Sequence, residues 1–244
     1  MKHLTPTWQA PKNVRALMTL RQGGYSQAPY DSFNLGDHVG DEKSAVKNNR
    51  TLLTEQFGLP QYPVFLTQTH STKVLHLPCD GKDLNADAAY TNQPKQVCLV
   101  MTADCLPVLF TNRQGSEVAA AHAGWRGLCD GILEQTLDCF QSPKENIIAW
   151  FGAAIGPSAF QVGEEVMAQF VAHDPQAQQA FLPDPNASGK YLGNLYQLAR
   201  QRLNALGVTQ ISGGEHCTYL DQQQFFSYRR EKQTGRMASL IWFE

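Results

Sequence analysis

One segment, residues 102–127, limits the possible folds most, because TADCLPVLFTNRQGSEVAAAHAGWRG encodes two buried strands joined by a turn. The apolar run at 106–110 predicts the first strand. Small residues at 118–121 predict a second strand, where another layer packs closely. Cys105 stands at one strand end and His122 at another, followed by glycines that permit a tight turn into a helix. We therefore predict a reactive site at neighbouring strand ends.

A third ligand, a histidine, converts this pair into a candidate metal site. His70 follows a short apolar segment, and together His70, Cys105 and His122 form a His₂Cys set. Three protein ligands with one open position are typical of catalytic zinc, which lowers the pKa of bound water towards neutrality. Blue copper also uses His₂Cys, but with a weak axial ligand such as Met. Met101 precedes Cys105 by four residues along a strand, too far to reach the metal, so we favour zinc and keep copper as an alternative.

Two other interpretations of Cys105 need no metal. Cys105 is either a buried packing thiol or a nucleophile activated by His70 or His122. The presence of two histidines favours the metal. Asp104 is a candidate base or an orienting group, and strand alternation predicts that either Asp104 or Cys105 faces away from the site. Asp87 is a candidate for a local capping role.

The remaining pattern predicts a mixed fold. The chain of 244 residues has no regular alternation of strands and helices, which favours an α+β fold with mixed sheets in one domain spanning residues 1–244. The segments with the clearest periodicity are predicted strands at 13–20, 62–66 and 235–242 and predicted helices at 41–57, 128–140 and 192–206.

Charge and the first residues limit the partners. The formal net charge is −2 and no run of Lys and Arg occurs, so nucleic acid and membrane surfaces are not expected as partners. The segment MKHLTPTW lacks the apolar core of a signal peptide, and no segment is long enough to span a bilayer. We expect a cytoplasmic protein whose six cysteines are thiols.

Three motifs also carry a family resemblance. TQTHSTKV, TADCLPVLF and AAAHAGWRGL resemble the signature motifs of the YfiH family, and the likeness extends from Thr19 to Trp242. Members are described as laccase-domain multicopper polyphenol oxidases, as purine nucleoside phosphorylases and as peptidoglycan editing factors. The resemblance implies sheets packed in a sandwich and flanked by helices, a fold similar to that of a bacterial toxin deamidase with a Cys–His pair.

The resemblance also suggests substrate-binding residues. The RxGG and NLG segments match the family's N-terminal motif, which implies that Arg21 and Asn34 face the active site, unless they only shape a turn. A phosphorylase must hold phosphate, and the arginine fork suits an oxyanion. Arg21, Arg126, Arg229 and Arg230 lie in motif-like segments; Arg126, beside an expected helix start, is the best candidate. Each of these arginines could instead form a structural ion pair.

The leading functional hypothesis is a zinc-dependent purine nucleoside phosphorylase. It would act on adenosine, inosine or methylthioadenosine with phosphate, as a monomer or homodimer, and zinc would also explain adenosine deamination. A second hypothesis is a cytosolic hydrolase that edits peptidoglycan precursors through zinc or Cys105. The third, a copper polyphenol oxidase, is opposed by the sequence, because its seven histidines include no His-x-His pair.

Overall fold

Thirteen strands and a set of short helices make up the chain. The computed structural model describes all of residues 1–244. The strands are β1 His3–Leu4, β2 Val14–Thr19, β3 Val74–His76, β4 Ala88–Thr91, β5 Cys98–Thr102, β6 Leu106–Asn112, β7 Val118–Ala123, β8 Ile147–Phe151, β9 Gln161–Gly163, β10 Phe181–Pro183, β11 Lys190–Gly193, β12 Gln210–Gly213 and β13 Met237–Phe243. The α-helices are α1 Lys43–Gln56, α2 Trp125–Asp130, α3 Ile132–Asp138, α4 Glu164–His173, α5 Leu195–Ala205 and α6 Tyr228–Glu231, with 3-10 helices at Lys144–Asn146 and Pro175–Ala180. None of the helices combines the length and the apolar character that a membrane span requires.

The strands form three sheets. A six-stranded sheet has the order β12-β8-β6-β7-β4-β3, a four-stranded sheet has the order β1-β2-β13-β5, and a small third sheet has the order β10-β11-β9. The pairs β12–β8 and β3–β4 are parallel and the other pairs are antiparallel. The predicted α+β fold with mixed sheets is therefore confirmed.

Strand alternation packs the two larger sheets face to face. In β6, Val108 and Phe110 point into a core shared with the helices, whereas Leu109 points into a core shared with the four-stranded sheet. The alanines of β7 keep the sheet surfaces close together. On the outer face of the four-stranded sheet, Leu99 and Leu240 pack against Leu53 of α1. The predicted sandwich flanked by helices is thus confirmed as four layers, helix, sheet, sheet and helix.

Two predicted elements differ from the structure. The predicted strand at 62–66 is wrong: the segment is irregular, Pro63 lacks a backbone donor, and only Thr67 forms a bridge, with Asn85. The predicted helix at 128–140 begins earlier, at Trp125, and is divided in two. Gly131 has a φ of 103°, the left-handed conformation that ends α2 before α3 starts.

Candidate active site

The structure brings the three predicted ligands together. The β6–β7 pairing places Pro107 opposite His122, so Cys105, just before β6, lies at the same sheet end as His122. His70 reaches this point from the irregular segment before β3. Its Nε2 lies 3.7 Å from the Sγ of Cys105, and the His70 and His122 ring centroids are 4.8 Å apart. One ligand atom from each of the three residues lies within 4.8 Å of the others.

A buried carboxylate fixes both histidines. Asp87 is fully buried and accepts backbone hydrogen bonds from Thr69, His70 and Ser71 at 3.1, 2.9 and 2.6 Å. Its Oδ1 also lies 2.7 Å from Nδ1 of His122. Burial raises the pKa of Asp87, but hydrogen bonds from His122 and Ser71 outweigh burial and lower it to about 2. The ionised Asp87 therefore orients His122 with Nε2 free, as carboxylates do behind histidine ligands of metals.

Gly124 is required by the crowding around these side chains. A Cβ at this position would lie 2.5 Å from Cδ2 of His70 and 3.0 Å from Sγ of Cys105. The backbone of Gly124 has a φ of −63°, which any residue can adopt. The glycine is therefore needed for space, and it lets α2 start directly against the ligand cluster.

The cluster favours the thiolate form of Cys105. Burial raises the pKa of the thiol, but His122 and His70 outweigh it and lower the pKa to about 6. Burial lowers the pKa of His122, but Cys105 and Asp87 raise it to about 9. Without metal, the site thus holds a thiolate beside a charged imidazole. Thiolate and imidazole nitrogen are ligands that zinc prefers, and copper accepts the same set.

The ligand cluster forms part of the wall of a cavity of about 520 Å³. Its lining combines the three ligands, three arginines and several apolar side chains. The full lining is His38, Gln68, His70, Met101, Thr102, Ala103, Asp104, Cys105, His122, Trp125, Arg126, Ile155, Phe160, Leu195, Tyr228, Arg229 and Arg236. The volume and the mixed lining are typical of a site for a small organic substrate.

Two of the predicted arginines line the cavity. Arg126 is exposed in the first turn of α2, and its guanidinium lies 4.4 Å from the centre of the Trp125 ring. Arg229 of α6 donates from Nη1 to the carbonyl of Gln161 at 2.9 Å, which leaves its other nitrogens available. Both residues can present positive charge to a bound anion.

Arg21 and Arg230 lie outside the cavity lining. Arg21 Nη1 contacts Glu231 Oε1 at 2.8 Å, and Arg230 Nη2 contacts the same oxygen at 3.2 Å. Arg230 also donates to the carbonyl of Thr218 at 2.7 Å. These contacts hold α6, which carries Arg229 into the cavity. The structure therefore favours the ion-pair alternative over direct substrate binding for Arg21 and Arg230.

Asn34 lies outside the cavity lining and contacts a cavity residue, Arg236, that the sequence analysis missed. Asn34 is fully buried, and its Oδ1 accepts the backbone N–H of Arg236 at 2.9 Å. Burial lowers the pKa of Arg236, whereas the negative charges of Cys105 and Asp104 raise it, so its guanidinium lies in the field of the ligand cluster. A lone arginine at the start of the apolar strand MASLIWF was the signal that could have identified it.

Asp104 lines the cavity together with Cys105, so the prediction that one of them faces away is wrong. Residues 103–105 form a bend, not a strand, and Asp104 has a φ of 86°. Its Oδ1 accepts the hydroxyl hydrogen of Thr218 at 2.6 Å, and its Oδ2 accepts the backbone N–H of Arg229 at 2.6 Å. Asp104 thus ties the bend to α6, which places Arg229.

Comparisons with known proteins agree with this architecture. The sequence profile of the family described as "Multi-copper polyphenol oxidoreductase laccase" matches residues 15–244. A Haemophilus influenzae protein named purine nucleoside phosphorylase is 66% identical over 244 residues, covering 100% of both chains. The Escherichia coli protein named purine nucleoside phosphorylase YfiH is 55% identical, covering 99% of this chain and 98% of its own. A solved Neisseria meningitidis structure superposes with a TM-score of 0.95 at 48% identity over 100% of both chains. The chain therefore belongs to the multicopper polyphenol oxidoreductase laccase family, which includes the YfiH proteins.

Proposed function

We propose that this protein is a cytoplasmic, zinc-dependent purine nucleoside phosphorylase that also deaminates adenosine. Its substrates would be phosphate and adenosine, inosine or methylthioadenosine. The observation that carries this proposal is one cavity of about 520 Å³ that combines His70, Cys105 and His122 with arginines and an apolar wall. The names of the Haemophilus influenzae and Escherichia coli relatives support the same reaction.

The arginines supply the phosphate subsite. Arg126, Arg229 and Arg236 reach the cavity from α2, from α6 and from the residue before β13. A guanidinium fork donates two parallel hydrogen bonds to an oxyanion, and its charge persists at every physiological pH. Arg236 lies in the field of Cys105, which connects the phosphate subsite to the ligand cluster.

The apolar wall supplies the nucleoside subsite. Phe160, Leu195 and Ile155 line the cavity, with Trp125 and Tyr228 as aromatic partners. A purine ring would stack on the aromatic side chains and pack against the aliphatic ones, which buries its apolar faces. In phosphorolysis a phosphate oxygen bonds to the sugar C1′, the glycosidic C–N bond breaks, and its electron pair leaves with the purine, which takes up a proton. Holding phosphate and nucleoside together removes much of the entropic cost of this encounter.

His70, Cys105 and His122 would hold the zinc ion. When bound, the ion supplies Lewis acidity and lowers the pKa of a water molecule, which is the chemistry that adenosine deamination needs. Asp87 keeps the His122 ring oriented through the 2.7 Å contact at Nδ1. Asp104 is proposed as a positioning residue for Arg229, because both of its carboxylate oxygens already accept hydrogen bonds.

The test is product analysis with purified protein and adenosine, with and without phosphate. We expect adenine and ribose 1-phosphate only with phosphate, and inosine in both samples. A folded His122→Ala variant should lose both activities, whereas His76→Ala, an exposed histidine outside the cavity, should keep both. Full activity in His122→Ala would contradict the metal assignment. Arg126→Ala should raise KM for phosphate, with exposed Arg113→Ala as the control.

A second candidate is hydrolytic editing of peptidoglycan precursors, with Cys105 as the nucleophile. It is favoured by the 3.7 Å contact between Cys105 and His70 and by the thiol pKa of about 6. This function predicts amide hydrolysis that needs no phosphate and persists after chelation. Copper phenol oxidation, suggested by the family description, predicts oxygen uptake with phenols by the copper-loaded protein.

A further inference from the structure

A second group of metal-binding side chains lies outside the cavity lining. Cys129 and Asp130 end α2, and His173 is the last residue of α4. One ligand atom from each lies within 4.8 Å of the others, the same limit that holds for the cavity trio. We propose that Cys129, Asp130 and His173 form a second site for a divalent transition metal, with zinc as its ion.

The donors suit zinc. Thiolate, imidazole and carboxylate are the three ligand types that zinc binds in proteins. Cys129 is 1% exposed, whereas Asp130 and His173 are exposed, so the ion would bind at the surface above a buried sulfur. A buried thiol is a poor nucleophile without an activating partner, because burial raises the pKa of Cys129. Binding a cation would release the thiol proton and satisfy the sulfur.

The surroundings are rich in negative charge. Glu134 lies one turn further along the chain, and its Oε1 pairs with Arg202 while its Oε2 is buried without a hydrogen-bond partner. Burial raises the pKa of Cys129 most, the charge of Arg202 lowers it, and the carboxylates of Asp130 and Glu134 raise it. The C-terminal ends of α2 and α4 also meet here, and carbonyl oxygens at helix ends favour cations. The hydrogen bonds of Arg202 go to Glu134 and to the backbone carbonyl of Cys129.

The site would act as a clamp between helices. The other end of α2 carries Trp125 and Arg126 into the catalytic cavity, and Phe160, shortly before α4, lines the same cavity. An ion at the far ends would hold the two helices at a fixed spacing without contacting substrate. This site is independent of the proposed phosphorylase activity, and its test does not use that activity.

The experiment separates the two sites by removing the first. In a His70→Ala/Cys105→Ser background, full-length protein is equilibrated with zinc and desalted, and bound zinc is measured by mass spectrometry. We expect one zinc per chain in this background and two in the unmodified protein. Adding His173→Ala should abolish the remaining zinc, whereas adding His76→Ala should not. With cobalt, the background variant should show a thiolate-to-metal charge-transfer band that Cys129→Ser removes.

Two results would overturn the proposal. One is a background variant that binds no zinc although circular dichroism shows it folded. The other is zinc binding that survives both His173→Ala and Cys129→Ser. The thermal unfolding midpoint separates loss of a ligand from misfolding. If the His173→Ala variant loses its zinc but unfolds at the same temperature as the metal-free background protein, misfolding is not the cause.

Discussion

Replacing Gly124 by alanine tests the crowding at the ligand cluster directly. The new Cβ would lie 2.5 Å from Cδ2 of His70, whereas ordinary contact begins at 3.4 Å, so the imidazole must move by about 0.9 Å. The same Cβ would lie 3.0 Å from Sγ of Cys105. The backbone conformation accepts alanine, so the perturbation falls on these side chains.

The two effects of Gly124→Ala differ in size. A displacement of about 1 Å at reacting groups costs on the order of 100-fold in rate, so kcat/KM should fall by about that factor and zinc affinity should fall with it. Stability should fall by about 1 kcal/mol, because alanine is a poorer N-cap than glycine. The clash itself should add little to this loss, since His70 is exposed and can yield.

The assays are adenosine phosphorolysis, zinc titration and thermal unfolding of the same preparations. The control is Arg113→Ala, at an exposed position outside the cavity lining. We expect the control to retain most activity and its metal. Wild-type kcat/KM and zinc content in Gly124→Ala would refute the argument from crowding.

Four further outcomes follow from the contacts described. Asp87→Asn removes the negative charge beside Nδ1 of His122, so the zinc affinity measured by calorimetry should fall by about 10- to 100-fold. Glu231→Gln loosens α6, so KM for phosphate should rise several-fold and urea unfolding should show a loss of about 1–3 kcal/mol; an unchanged KM would contradict the positioning role. Burial raises the pKa of Glu117, but hydrogen bonds, the largest from Ser142, outweigh burial and lower the pKa. The stability that this carboxylate contributes is therefore fully present above the unfolded pKa of about 4.3, and it is lost as pH falls through the lower folded pKa. Glu117→Gln should therefore flatten the acid decline of the urea midpoint. Chelation should expose Cys105 to iodoacetamide, and added zinc should protect it, as peptide mapping will report.

The ligand cluster was predictable because its signals are local. Apolar runs beside Cys105 and His122 identified strand ends, and strands that are neighbours in sequence meet at one sheet end. The role of Asn34 was not predictable, because it depends on a hydrogen bond to Arg236 across 202 positions of sequence. The strand alternation expected at Asp104 and Cys105 does not hold, because a left-handed backbone angle at Asp104 interrupts the strand there.

The central position of β13 has a consequence for synthesis of the protein. β13 lies between β2 and β5, and the ion pair of Arg21 with Glu231 joins positions 210 apart. On the ribosome, the four-stranded sheet and the wall that holds Arg229 and Arg236 must therefore wait until the last strand of the 244 residues has emerged. A nascent or truncated chain without β13 exposes the apolar surfaces of β2 and β5 and has no complete cavity. Chains that lack β13 would therefore present unpaired strand edges and apolar surface together, the combination that makes partly folded chains aggregate.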